Sequence, residues 1–332
     1  MRWMIRAIVA VVWLLPFLAA AGDDPLFDWM GLKNPILSLP DRMLKDQAVA
    51  IRGGYFYLFA STRSEGPEPA DAACFFRTPD FKEFERLESP GLTVTFGATV
   101  RGPASPDLVR RGDDWFIVFQ AGPKEYFRRL YYSSSADLVS WSPAAAINPG
   151  MKPRQRQIDG ALAFEAGHWI LGYKGGQSFY VTRSKGPELD GRWERPVRAS
   201  AGGEWAENFQ FIKIEGRWRM VATARGSKNL LAGQYTGNHD PFIYEMDGDG
   251  SELADWARWK NRTALEVPGE DWNRVMKANS GYLCDWREYD GHFYLFYAGA
   301  NDGERFAGRG HAMIGVARSL DLVTWRLPGQ AD

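Results

Sequence analysis

Three carboxylates, Asp46, Asp159 and Glu207, stand at corresponding places in a repeated stretch of this sequence. Asp46 lies nine residues before Tyr55 and Asp159 nine before His168, and each count ends at an aromatic-rich run that follows a Gly-containing turn. The same count in the next repeat, allowing a turn one residue longer, puts Glu207 nine residues before Gly216. Like charges crowded into one recess cannot all ionise normally, so at least one must keep its proton to a higher pH than usual. A protonated carboxyl beside an ionised one is what general acid–base catalysis needs: one donates to a leaving oxygen while the other activates water or attacks carbon. Cleavage of a glycosidic bond uses such a pair. Capping a strand or holding a cation is the plainer role for any one acid alone, but three at matching places favour catalysis.

The elements that must position these acids are hairpins. Aromatic runs recur in RGGYFYLFAST, RGDDWFIVFQA, EAGHWILGYKG, IEGRWRMVATA and YDGHFYLFYAG, each preceded by a second apolar run: AVAI, DLVR, ALAF, NFQFIKI and YLCDWREY. Short β-rich runs joined by turn residues read as antiparallel pairs. A polar turn ending in an aromatic follows each pair: SSADLVSW and RSLDLVTW most clearly, TPDFKEF, SKGPELDGRW and GSELADW more loosely. Such a turn starts an outer strand. Five hairpins with five such turns predict an all-β, five-bladed β-propeller with four antiparallel strands per blade, a β-sandwich being the alternative.

The predicted blades run over 44–90, 97–150, 155–200, 203–268 and 278–328, within one domain at 44–332 behind a lead-in at 22–43 that packs on them. Blade four is longest because RGSKNLLAGQYTGNHDPF is inserted between its middle strands.

Composition sets limits on partners. The 332 residues are 45% hydrophobic, enough for a sizeable core, and the formal charge of −1 argues against a nucleic-acid binder. No CxxC or HExxH spacing occurs, so neither a structural zinc site nor a zincin is expected. Residues 1–21 have a basic start (Arg2, Arg6), an apolar run from Ala7 to Leu18 and the small residues Ala19–Ala21. That pattern predicts a signal peptide cleaved near Ala21, since the run falls short of the roughly 20 residues a membrane span needs. The expected product is secreted or periplasmic, with no membrane attachment after cleavage. Such a compartment permits a Cys74–Cys284 disulfide.

KDQAVAIRGGYFYLF, QIDGALAF and WAENFQFIKIEGRW, opening blades one, three and four, resemble glycoside hydrolase family 43 and its superfamily relatives in families 32, 62 and 117. The resemblance covers nearly the whole mature chain. It implies Asp46 as general base, Asp159 as the residue that tunes the acid, and Glu207 as general acid. It also implies an oligo- or polysaccharide substrate, no organic cofactor and room for a structural calcium on the axis, although no EF-hand-like spacing is present. The family commonly has Asp-Pro at the base and tuning positions and Glu-Gly-Pro at the acid. Here they read Asp46-Gln47, Asp159-Gly160 and Glu207-Asn208, and Lys45-Asp46-Gln47 lacks the Asn-Asp-Pro nucleophile box of the fructosidase-like branch. Subfamily and sugar are therefore left open.

Several further residues are candidates. Trp205, beside Glu207, is suited to stack on a sugar ring; Trp29, Trp272 and Trp286 are weaker choices, because most Trp residues must pack blades. Arg309 and His311 open the third strand of blade five as sugar contacts, or His311 as a ligand of an axial ion. Asp107 sits two residues past the counterpart of Asp46, facing either the axis or the next blade. Asn238, His239 and Asp240 are placed to rim the pocket. Asn261-Arg262-Thr263 matches a glycosylation sequon. Two rival functions remain: a non-catalytic carbohydrate-binding propeller, and a glycoside phosphorylase whose phosphate would need a basic cluster such as Arg101, Arg154 and Arg156.

Overall fold

The hairpin runs fold as five antiparallel sheets around one axis in the computed structural model, which describes residues 27–65, 72–88, 90–96, 99–121, 129–147, 156–201, 206–225, 239–308 and 310–332. Blade one is built from Arg42–Arg52, Tyr55–Ser64, Ala72–Thr78 and Glu85–Leu87, paired in chain order. Blade two follows with Ala104–Arg111, Asp114–Gln120, Leu130–Ser135 and Ala145–Ala146, and blade three with Ile158–Glu165, His168–Gly175, Ser178–Arg183 and Val197–Arg198. The first strands of successive blades touch one another in a closed ring, with blade five returning to blade one. The predicted all-β five-bladed propeller is therefore what forms.

Two blades depart from four plain strands. Blade four (Ala206–Ile214, Arg217–Arg225, His239–Met246, Arg258–Ala264) gains a fifth, parallel strand, Ser200–Ala201, on its outer edge. Blade five has three strands, Met276–Trp286, His292–Ala300 and Met313–Ser319, and its outer position is filled by single bridges from both chain ends. Leu37 of the lead-in pairs with Ile314, and Arg326 pairs with Arg318. The Trp29 indole N–H donates to the Gln330 carbonyl at 3.0 Å, and Phe27 packs edge-on against Phe56, Phe81 and Tyr294. Both ends thus cover an edge that would otherwise present unpaired backbone. Phe27, Trp29 and Leu37 are the described residues of this segment that make these contacts.

Both faces of a blade press on neighbours, which is why the aromatic runs do not alternate apolar with polar. All nine residues of His292–Ala300 are buried. The polar turns have a definite chemistry. In blade five Ser319 Oγ accepts from the Leu322 N–H, while Asp321 Oδ1 accepts from the amides of Val323 and Thr324. Those backbone donors hold the Asp321 carboxyl down at about 2. Thr78 with Asp80 and Ser135 with Asp137 repeat the arrangement in blades one and two.

The disulfide that an exported protein could form between Cys74 and Cys284 is absent. Cys74 lies in the third strand of blade one and Cys284 in the first strand of blade five, both buried as free thiols that burial pushes upward. Residues 1–21 lie outside the described region, and among the described residues no helix is long and apolar enough to cross a membrane.

Candidate active site

Each blade bends its first strand at one place, where a non-glycine residue adopts a left-handed backbone: Asp46 (φ 51°), Ser105 (45°), Asp159 (52°), Asn208 (52°) and Ser280 (53°). The pairing register with the second strand slips at each of these points. A left-handed residue costs of order 1–3 kcal/mol, least for Asp and Asn with their short polar side chains, and such strain collects at functional sites. Two donors hold it here: Ser105 N–H bonds Ser61 Oγ at 2.7 Å, and Asp159 N–H bonds Gln120 Oε1 at 3.0 Å. Close contact between blades adds to this. A Cβ on Gly160, next to Asp159, would lie 2.8 Å from Leu130 and 3.2 Å from Val118 of blade two.

The five residues, with those that follow them, line an axial recess. Asp46 and Asp159 occupy equivalent places, as their spacing predicts. Glu207 does not. The second strands of blades one to four begin at Tyr55, Asp114, His168 and Arg217, so the nine-residue count leads to Asp46, Ser105, Asp159 and Asn208. No longer turn exists in blade four, and Glu207 precedes the matching residue by one.

Glu207 is not among the residues lining the recess, yet its charge and that of Asp46 both act on Asp159, and the three acids have different surroundings. Asp46 accepts at Oδ1 from Ser280 Oγ (2.6 Å) and Asn208 Nδ2 (3.0 Å), and at Oδ2 from Ser105 Oγ (3.3 Å), with Lys45 Nζ 3.3 Å from the same oxygen. Glu207 Oε2 accepts from the Lys174 ammonium at 2.6 Å. Asp159 is held at about 7, first by burial and then by the charges of Glu207 and Asp46, against the opposing pull of Lys174 and Lys45. Lys174 had gone unnoticed. Its signal was a lone lysine in the buried strand HWILGYKG, and hairpin pairing sets it opposite Ile158, next to Asp159.

Asp107 faces the next blade rather than the recess. It is buried, its Oδ2 accepts from the Leu162 N–H of blade three at 2.9 Å, and Oδ1 has no partner among the described residues. Gln210, two residues after Asn208, bonds both the N–H and the carbonyl of Leu283 in the same manner. Burial pushes the Asp107 carboxyl well up, so the folded protein keeps a proton there that the unfolded chain releases above about pH 4. Its support for the fold is full below about pH 4 and fades as the pH rises. The melting temperature of Asp107→Asn, relative to the natural protein, should therefore rise between pH 4 and pH 8 in calorimetry. A difference that stays constant would mean that Asp107 is not protonated in the fold.

His311 also has other work: Nε2 lies 2.7 Å from the Leu39 carbonyl and Nδ1 3.2 Å from Arg305 Nη1. With both ring nitrogens engaged it suits neither a sugar contact nor an axial ion. No group of three or more His, Cys, Asp or Glu side chains is arranged to hold a metal among the described residues. Trp29 and Trp286 are buried, and the Trp272 ring stacks on Tyr297 and lies against Gly299 and Gly315. Asp240 is the second residue of the third strand of blade four, its carboxyl raised by burial. Trp205, Arg309, Asn238 and Arg154 lie outside the described residues, as do the side chains of His239 and Arg101, while Arg156 is exposed.

No family model matches the chain, and no curated protein does. Solved structures do. The GH43B protein of a Bacteroides ovatus xyloglucan PUL matches 89% of this chain at 13% identity and a TM-score of 0.60, the match spanning 56% of that longer chain. An α-L-arabinofuranosidase from Podospora anserina, solved with cellotriose, matches 92% of this chain and 96% of its own at 16% identity and a TM-score of 0.60. A GH43 endo-arabinanase from Bacillus licheniformis matches 85% and 95% at 11% identity and a TM-score of 0.58. At such identities the likeness speaks for architecture, and the chain has the five-bladed propeller fold found in structures of glycoside hydrolase families 43 and 62.

Proposed function

We propose that this protein is a glycosidase that hydrolyses glycosidic bonds with inversion. One observation carries the reading: carboxyls from blades one and three line the axial recess, that of blade four is near enough to raise Asp159, and the three have unlike environments. Asp46 sits among donors, Glu207 rests on an ammonium, and Asp159 holds a proton to near neutral pH. Separated acid and base environments are what two-carboxylate hydrolysis requires. Asp46 takes the proton from the attacking water. Glu207, with 19% of its side chain exposed against 5% for Asp46, faces the sugar and protonates the leaving oxygen, and Asp159 tunes it.

The neighbours in fold are named as arabinofuranosidases and arabinanases, and one was solved with xylotriose. On that likeness the substrate class is a terminal or side-chain arabinofuranosyl- or xylosyl-like unit of a plant or algal polysaccharide. The basic, apolar and small-residue pattern of 1–21 supports export to the periplasm or the medium, where such polymers are met. A screen of aryl glycosides and plant and algal polysaccharides, with product analysis, tests the reading. Binding without turnover across the whole screen would favour a lectin-like propeller instead.

The stereochemistry follows from Asp46 acting as base. A water must fit between it and the anomeric carbon, which corresponds to carboxyls about 6.5–9.5 Å apart in inverting enzymes. Asp46 and Glu207 belong to non-adjacent blades, and Lys45-Asp46-Gln47 lacks the retaining branch's nucleophile box. Proton NMR on a fresh reaction should show first the anomer opposite to that of the bond cleaved. A glycosyl adduct trapped on Asp46 by a fluorosugar would instead make it a nucleophile.

A further inference from the structure

We propose that Lys174 is a positioning residue that acts through Glu207: it ties the Glu207 carboxylate to blade three and sets the charge felt by the carboxyls around the recess. The proposal rests on the glycosidase reading for its catalytic meaning, but its electrostatic content can be tested without a substrate.

Lysine is rarely buried unless it is paired. Lys174 lies in the strand His168–Gly175, its side chain 7% exposed, in an otherwise apolar run. Its ammonium meets Glu207 Oε2 at 2.6 Å, a short charge-assisted contact that bridges blades three and four. The contact fixes one Glu207 oxygen against blade three. Asp46 is likewise surrounded by donors from Ser105, Asn208 and Ser280, with Lys45 beside it. Asp159 differs from both. It is buried, and its backbone N–H is held by Gln120 Oε1. Of the three, it is the one whose surroundings accommodate a neutral acid.

Among the described residues, the charged groups that act most on Asp159 come from blades one, three and four. Glu207 of blade four and Asp46 of blade one favour the protonated form, while Lys174 of blade three and Lys45 of blade one oppose it. Lys174 therefore does two things. It keeps Glu207 aimed, and it limits how tightly Asp159 holds the proton, so that the proton remains transferable near neutral pH. Without Lys174, the site would hold its proton to higher pH while losing the anchor of Glu207.

The test is a carboxyl ¹³C NMR titration of protein labelled at aspartate, over about pH 4 to 10. The Asp159 signal is identified by its loss in Asp159→Asn, and its midpoint in the natural protein should be about 7. Lys174→Met should move that midpoint upward by about 1–2 pH units, the size of effect a nearby charge exerts. Lys174→Arg, which keeps the charge, should leave it nearly in place. Glu207→Gln, which removes a negative neighbour, should move it downward. If Lys174→Met does not fold, the downward shift in Glu207→Gln with a near-unchanged Lys174→Arg carries the test. A midpoint that does not respond to Lys174→Met in folded protein, or to Glu207→Gln, overturns the proposal. Where a substrate is turned over, the alkaline limb of kcat should move upward in Lys174→Met. Unchanged limbs alongside shifted NMR midpoints would defeat the catalytic role, and absence of any turnover would defeat the glycosidase reading instead.

Discussion

Asp46→Gly is expected to lower turnover by about 10² to 10⁴, the usual contribution of a general base. Glycine suits this experiment because Asp46 has φ 51°, a conformation that glycine adopts without strain, so the backbone bend of blade one should survive. What disappears is the acceptor for Ser280, Asn208 and Ser105, together with the partner of Lys45. The vacated space faces the recess and leaves donors lining it, which suits a small anion such as azide. Azide should restore part of the rate and yield a glycosyl azide of inverted configuration, because it attacks from the side that the water had used. A variant that keeps most of its activity would remove Asp46 from the machinery. A lost rate that azide does not restore, in protein that still melts cooperatively, would assign Asp46 to support of the ring instead.

Glu207→Gln should cost about 10² to 10⁴ on substrates with alkoxide leaving groups, since an amide keeps the shape of the side chain but cannot deliver a proton. Aryl glycosides with acidic phenols leave without protonation, so for them the loss should shrink towards a small factor. The contrast separates the chemical role from a structural one, because a collapsed site would harm both substrates alike. Glu207→Gln also leaves the Lys174 ammonium beside a neutral partner at a largely buried place, so some stability should be lost as well. Rates should therefore be compared well below the melting temperature. Equal losses on the two substrate classes would take the proton donor away from Glu207.

Much of this architecture could be read from residue types alone. Strand pairs joined by Gly-containing turns set five blades, because short-range turn chemistry and β-rich runs act within a few residues of each other. The same locality made Asp46 and Asp159 legible: each precedes its hairpin by the same number of residues, so a count along the chain lands on the same bend. Ser105 and Ser280 hold the corresponding bends in blades two and five. The count failed in blade four, where a longer turn was allowed to bring a carboxylate into register. The strand beginning at Arg217 shows that Asn208 holds that place and Glu207 precedes it.

What the chain determined by itself, then, was its local content: which runs become strands, where they turn, and which polar residues sit at the bends. Tertiary structure decided which of those residues meet. Lys174 reaches Glu207 only because blades three and four pack side by side, and Asp107 finds the Leu162 amide only because blades two and three do. Cys74 and Cys284 stay apart because they belong to different layers of different blades. The outer edge of blade five is completed by residues nearly three hundred positions apart in the sequence, Leu37 and Arg326. Burial and like charges raise Asp159, and neither exists until the ring closes, since both depend on what surrounds a group in space rather than on its neighbours along the chain.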